Sequence, residues 1–226
     1  MPIALAVLTP CSLFTGLPPE VVKPWADRMR LVSVRRREAV TTESGEPFDG
    51  LGIVLSGAVQ SIDLTGDGRE VALATAAAHE PFGLAELLAS RVTPGHWMAS
   101  NPSTAVGLLT SRDALEMLAE PVFALRAASR LAQHVCDVQS LQKVLTVHPV
   151  SARVCAWLRW QGEGAAGVVQ VPTHAELAWH LNTTRESVTR VFQKLFSDGV
   201  IAREESGWRI ADWSALTEGS RPRSRE

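Results

Sequence analysis

Cysteine is scarce in this chain of 226 residues: Cys11, Cys136 and Cys155 stand far apart, are odd in number and form no CxxC pair. A disulfide framework is not expected, a four-thiolate iron–sulfur site within one chain is excluded, and the usage suits a reducing cytoplasm. Long apolar runs are also missing. No stretch approaches the ~20 residues that a membrane-spanning helix requires, and the short run from Ile3 to Leu8 has no preceding Lys or Arg to make it a secretory signal. A soluble, cytoplasmic protein with no membrane partner is expected. Basic charge is not in excess, since 22 Lys and Arg against 24 Asp and Glu leave a net charge of −2. This excludes a broadly basic nucleic-acid coat but not a local basic face. Catalytic signatures are absent too: there is no Gly-rich phosphate loop, GxSxG elbow or clustered carboxylate pair. His174 and His180 are six residues apart, so on a helix they face different ways and cannot form an HExxH zinc pair. Neither an enzyme, a metal site nor a bound cofactor is expected.

What is present is an ordinary globular balance, 46% apolar and 20% charged, in a chain long enough for one large or two modest domains. The most organised stretch runs from Thr173 to Ile201. Two short helical patterns, Thr173 to Leu181 and Thr184 to Ser197, flank a polar turn at Asn182 and Thr183, the sequence form of a helix-turn-helix. Thr173 followed by Glu176 has the spacing of a capping box. Asn182 stands where the chain reverses and enters the left-handed region cheaply. Ala175, Leu177, Ala178 and Leu181 form an apolar face on the first helix, and Val188, Val191, Phe192, Leu195 and Phe196 form one on the second. Turning those faces inward leaves Arg185, Glu186, Thr189, Arg190 and Gln193 outward. Arg suits guanine O6 and N7, and Glu suits cytosine N4, so this is expected to be a DNA-reading face.

At these residues, TRESVTRVFQKLFSDGVI, the chain resembles the recognition helix and following turn of the CRP/FNR family of bacterial transcription regulators. The resemblance implies that Arg185, Glu186 and Arg190 read bases, while Thr173, Thr184 and Thr189 bond phosphates or support the readers. Carrying both Arg185 and Glu186 is more similar to the cyclic-AMP-receptor branch, with half-sites like TGTGA. The implied partners are double-stranded DNA, a second copy of the chain, and RNA polymerase.

Upstream, strands are expected at Val32 to Arg36, Leu51 to Leu55, Ala58 to Leu64 and Glu70 to Thr75. They are divided by Ser44-Gly45, Ser56-Gly57 and Gly66-Asp67-Gly68. Many short strands with Gly-bearing turns suggest a jelly roll or related barrel. GIVLSGAVQSIDLTGDGREVAL resembles the family's sensor barrel, with Gly57 at a close turn. HEPFGLAELLASRVTPGHWMAS stands where the family has its cyclic-nucleotide phosphate cassette, but departs from it. The ribose-binding Glu position is Leu84, and the phosphate-binding Arg and hydroxyl positions are Pro94 and Gly95. A phosphodiester there loses its charge-assisted bonds, so tight cyclic-AMP binding is not expected. A gapped register placing Glu86 and His96 at those positions stays open, and the effector is left unassigned. Alternative sensing through haem on His79 or His96, with Pro2 similar to carbon-monoxide sensors of the family, or through Cys136, also stays open, as does action mainly through a protein partner.

A long helix is expected from Pro121 to about Val147. Ala124, Ala128, Leu131, Val135, Val138, Gln142 and Leu145 recur by fours and threes, as in a coiled-coil seam that dimerises the chain. A second stripe with Phe123, Leu125 and Leu141 is expected to pack on the chain's own barrel. Thr146 to Ser151 reads as a hinge. A helix around Val154, Trp157, Leu158 and Trp160 ends near Gly162 and Gly164, a strand follows at Val168 to Val171, and VIAREESGWRIADW suggests a two-stranded wing about Ser206-Gly207. The expected fold is therefore α+β, with an N-terminal β jelly-roll sensor barrel (1–120), a dimerisation helix and hinge (121–148), a winged helix-turn-helix (149–216) and a disordered tail (217–226).

Overall fold

The computed structural model describes residues 3–64, 66, 68, 70–89, 95–163, 165–205 and 207–219. Pro2, Asp67, Pro94, Gly164, Ser206 and residues 220–226, on which several expectations fell, lie outside them. The chain divides into two compact units, Met1–Gln133 and His134–Glu226.

The first unit opens with α1 (Leu5–Leu8) and α2 (Pro19–Arg28), followed by β1 (Arg30–Arg35), β2 (Leu51–Ser56), β3 (Ala58–Leu64), β4 (Glu70–Ala77) and β5 (Pro81–Phe82). Then come α3 (Leu84–Ala89), β6 (His96–Ala99), β7 (Ser103–Leu109), α4 (Ser111–Leu118) and α5 (Pro121–Leu145), within which the division between units falls. The strands form two antiparallel sheets, of order β1-β7-β2-β5 and β4-β3-β6. Alternating side chains from both, with Val54, Val59, Phe82, Trp97 and Val106 among them, make one apolar core. A second core joins the sheet face of Leu51, Ile53 and Leu109 to α1, α2, α4 and the start of α5, where Phe123 meets Phe14 and Trp25 edge-on at 5.9 and 6.2 Å between ring centres.

Gly57 is required at its turn: it has φ 79°, and a Cβ there would sit 2.6 Å from Thr104 Oγ1 and 2.8 Å from the Ser103 carbonyl. The Thr110 side chain caps α4 by accepting from the Asp113 backbone N–H.

The stripe expected to pack α5 on the barrel needs correction at Leu125, which is 70% exposed, and at Leu141, which packs against the core of the second unit. Phe123 and Ala127, four residues apart, are the buried pair. Leu125 lies two residues from each and so projects to the opposite side of the helix. Leu131 is partly buried against this unit's core.

The second unit takes the end of α5, then α6 (Val150–Glu163), β8 (Val168–Val169), α7 (His174–His180), α8 (Arg185–Ser197), β9 (Ile201–Glu204), β10 (Gly207–Ile210) and α9 (Trp213–Gly219). Its three strands are ordered β8-β10-β9. Val154, Leu158, Leu177, Leu181, Val188, Phe192, Ile201 and Leu216 share one core, with Val144 buried in it and Leu141 packed against it. The tail expectation is corrected at Thr217–Gly219, which complete α9. Asp212 starts that helix: its Oδ1 accepts from the backbone N–H of Ser214 and Ala215 and from the Ser214 hydroxyl, and those donors hold its carboxyl below the usual range. Among the described residues no helix is long and apolar enough to cross a membrane.

Candidate nucleic-acid interface

The turn between α7 and α8 is built from main-chain constraints. Thr173 Oγ1 accepts from the Glu176 backbone N–H at 3.3 Å while the Glu176 carboxylate accepts from the Thr173 N–H at 2.9 Å, completing the capping box. The same carboxylate takes the Thr173 hydroxyl proton at 2.8 Å. α7 ends at Leu181, Asn182 takes φ 47°, and the Thr183 N–H closes on the Ala178 carbonyl at 2.9 Å. Thr184 then caps α8, accepting from the Ser187 N–H at 3.3 Å and donating to the Ser187 hydroxyl at 3.0 Å. Both threonine hydroxyls are thus committed to starting helices.

Val188 and Phe192 anchor α8 in the core, being 0% and 1% exposed. With that face fixed, Arg185, Glu186, Arg190 and Gln193 are exposed and Thr189 is half-buried. Arg185, Thr189 and Gln193 fall in one row and Glu186 and Arg190 in the next, by the four-residue repeat. Five side chains rich in bonding groups therefore share the outward face of one well-capped helix. β9 and β10 flank it: Trp208 meets Phe192 and Phe196 edge-on at 5.5 and 6.0 Å, and the Arg203 guanidinium lies 5.0 Å over the Trp208 ring.

Two supporting residues were not recognised from the sequence. Arg153 on α6 is 6% exposed. Its Nε donates to the Val147 carbonyl at 3.0 Å, its Nη1 to the carbonyls of Leu181 (2.7 Å) and Asn182 (3.3 Å), and its Nη2 lies 3.3 Å from His148 Nδ1. Among the described residues no carboxylate pairs with it, so this buried guanidinium serves main-chain carbonyls at the turn itself. His174, weighed in the sequence only as a metal ligand, places Nδ1 2.9 Å from Thr189 Oγ1 and packs against Phe192 with ring centres 4.9 Å apart and planes tilted by 38°. Burial, then the positive charges of Arg185 and Arg203, push its pKa below the ordinary 6.5.

Along α5, Ala124, Ala128, Val135, Val138 and Gln142 are exposed, while Leu131 and Leu145 are half-buried.

In the first unit, Leu84 is 4% exposed within apolar neighbours at the start of α3. A Cβ on Gly95 would lie 2.4 Å from Ser61 Oγ. Glu86 and His96 line a cavity of about 500 Å³ together with Gly83, Gly95, Glu46, Asp49, Phe48 and Trp97, and no Lys or Arg stands among its described lining residues. The described residues contain no group of three or more His, Cys, Asp or Glu able to hold a metal ion.

The Crp-like helix-turn-helix domain model matches residues 152–218, and the cyclic nucleotide-binding domain model matches residues 31–120. Among solved structures, the chain is similar to FixK2 from Bradyrhizobium japonicum at 21% identity, covering 86% of this chain and 98% of that one with a TM-score of 0.65. It is also similar to a mutant CooA from Carboxydothermus hydrogenoformans at 19% identity, covering 86% and 88% with a TM-score of 0.65. The c-di-GMP-responsive global regulator CLP of Xanthomonas campestris is 18% identical over 86% of this chain and 100% of its own, with a TM-score of 0.61. Likeness at these identities carries the fold alone. No curated protein sequence matches the chain.

Proposed function

The chain belongs to the CRP/FNR family of bacterial transcription regulators, and from that premise we propose that it is a homodimer that reads a palindromic DNA site through α8 in the cytoplasm. The observation that carries this reading is the exposed face of Arg185, Glu186, Arg190 and Gln193 on a helix capped at Thr184 and anchored by Val188 and Phe192. Arg185, Glu186 and Arg190 contact base edges, and Gln193 and Thr189 complete the face. Thr173 and Thr184 hold the two helix starts and approach the phosphates. The exposed Ala124, Ala128, Val135 and Val138 on α5, continued by Leu131, Gln142 and Leu145, form the seam with a second copy. That seam spaces two reading helices about one turn of DNA apart. RNA polymerase is the expected protein partner at the promoter.

Residues 1–120 are assigned to sensing, 121–148 to dimerisation and hinge, and 149–216 to DNA binding. A buried, apolar Leu84 and a Gly95 that has no side chain to offer a phosphate support an effector site that does not hold cyclic AMP tightly. A second reading of the same fold has a non-nucleotide effector or a protein partner supply the signal, with the cavity lined by Glu46, Phe48, Asp49, Glu86, His96 and Trp97 as its candidate site.

Binding of the purified dimer to its selected duplex tests the assignment. Arg190→Ala is expected to weaken specific binding by about 1–3 kcal/mol and to relax one base position in each half-site. Unchanged affinity and unchanged base preference would refute Arg190 as a reader.

A further inference from the structure

Thr189 is the one member of the reading row whose hydroxyl is already engaged, at 2.9 Å from His174 Nδ1. A hydroxyl has one proton to give and lone pairs to accept with, so the direction of that bond decides what remains for DNA. We propose, on the reading that α8 enters the major groove, that His174 is a specificity-determining positioning residue that sets the hydrogen-bonding polarity of Thr189. When the imidazole is neutral with its proton on Nε2, Nδ1 accepts, Thr189 donates to it, and only oxygen lone pairs face the groove. When Nδ1 takes a proton from solvent, the ring donates, the threonine hydroxyl rotates, and its proton becomes free for a base. Lone pairs suit the cytosine N4 amino group; a free proton suits guanine O6 or N7.

The surroundings keep this bond in place and make it titratable. His174 is the first residue of α7, half-buried, with the Phe192 ring of α8 packed against its own. The charged groups that act on it are Arg185 from α8 and Arg203 from β9, both cationic, and with burial they favour the neutral ring in the free protein. DNA phosphates oppose those cations, so the complex takes up the proton more readily than the free chain, and affinity rises as pH falls through the range below the ordinary 6.5. No other hydrogen bond fixes the His174 ring among the described residues.

The experiment measures relative affinities for duplexes carrying each base pair at each half-site position, at pH 8.0 and at pH 5.5, with the full-length chain. The cytosine-to-guanine preference at one position is expected to change roughly fivefold between the two conditions, the size of one hydrogen bond. Positions read by Arg185 and Arg190 stay fixed. His174→Gln, which keeps an amide near Thr189 but does not titrate, should hold the preference constant with pH, and Thr189→Val should remove it. Circular dichroism and thermal melts establish that both variants fold. Equal preference at both pH values in the native chain, or a shift that survives either substitution, overturns the proposal while leaving DNA reading by α8 intact. If the native chain selects no sequence at pH 8.0 either without ligand or with cyclic AMP added, the DNA-reading assignment fails and the proposal fails with it.

Discussion

Replacing Arg153 by methionine keeps the aliphatic bulk and removes the guanidinium that serves the carbonyls of Val147, Leu181 and Asn182. The three acceptors differ in what they recover. Val147 and Asn182 are partly and well exposed, so water replaces the lost donor at little cost. Leu181 is 0% exposed, and its carbonyl, bonded at 2.7 Å, is left without that donor. A stranded buried acceptor costs about 1–3 kcal/mol, and the other lost bonds add about 1 kcal/mol. Relief from burying a guanidinium with no carboxylate partner offsets part of this. The expected net loss is about 2–3 kcal/mol for the second unit, which with a typical slope moves the urea midpoint down by about 1–2 M. Tryptophan fluorescence follows it, since Trp157, Trp160, Trp179, Trp208 and Trp213 lie in that unit. Arg153→Lys should recover little, because one ammonium cannot fork between Leu181 and Val147. A midpoint for Arg153→Met within the error of the native chain would refute the account of the turn.

Ala128→Glu sets like charges facing each other across the proposed seam and should give monomers in sedimentation; a dimer that persists would place the seam elsewhere. Thr173→Ala opens the capping box of α7 and should destabilise the second unit by about 1 kcal/mol in urea unfolding, with no change in the first. pH tests the half-buried imidazoles of α7. The pKa values of His174 and His180 are both lowered, chiefly by burial, so below pH 6.5 the unfolded chain binds protons that the folded one refuses. Stability of the free protein should therefore be greater at pH 7.5 than at 5.5. The His174→Gln, His180→Gln double variant should flatten that slope, and an unchanged slope would contradict the assignment.

The helix-turn-helix was legible because its determinants are local. Thr173 and Glu176 are three residues apart, and Asn182 carries its own conformational preference, so sequence spacing alone fixes the geometry. The same kind of signal was there to be used at Thr110 with Asp113, and at Asp212 before Ser214, where α4 and α9 start. Leu125 was misplaced because an apolar residue on a long helix does not state which side it faces; Phe123 and Ala127 decide that by filling the core. Arg153 was out of reach for a different reason. Its partner Leu181 is 28 residues away and offers a main-chain carbonyl, which every residue possesses and no side-chain pattern advertises. His174 was visible only as a histidine, since its meaning depends on Thr189, fifteen residues on, turning back to meet it.

Selection of sites from a random duplex library by the purified chain, without added ligand and again with cyclic AMP, addresses the central claim most directly. The account predicts enrichment of a two-fold palindrome without ligand, its half-sites about one DNA turn apart and their base preferences lost at one position with Arg190→Ala. A chain that enriches no sequence under either condition would contradict DNA reading by α8, and enrichment only with cyclic AMP would overturn the reading of Leu84 and Gly95.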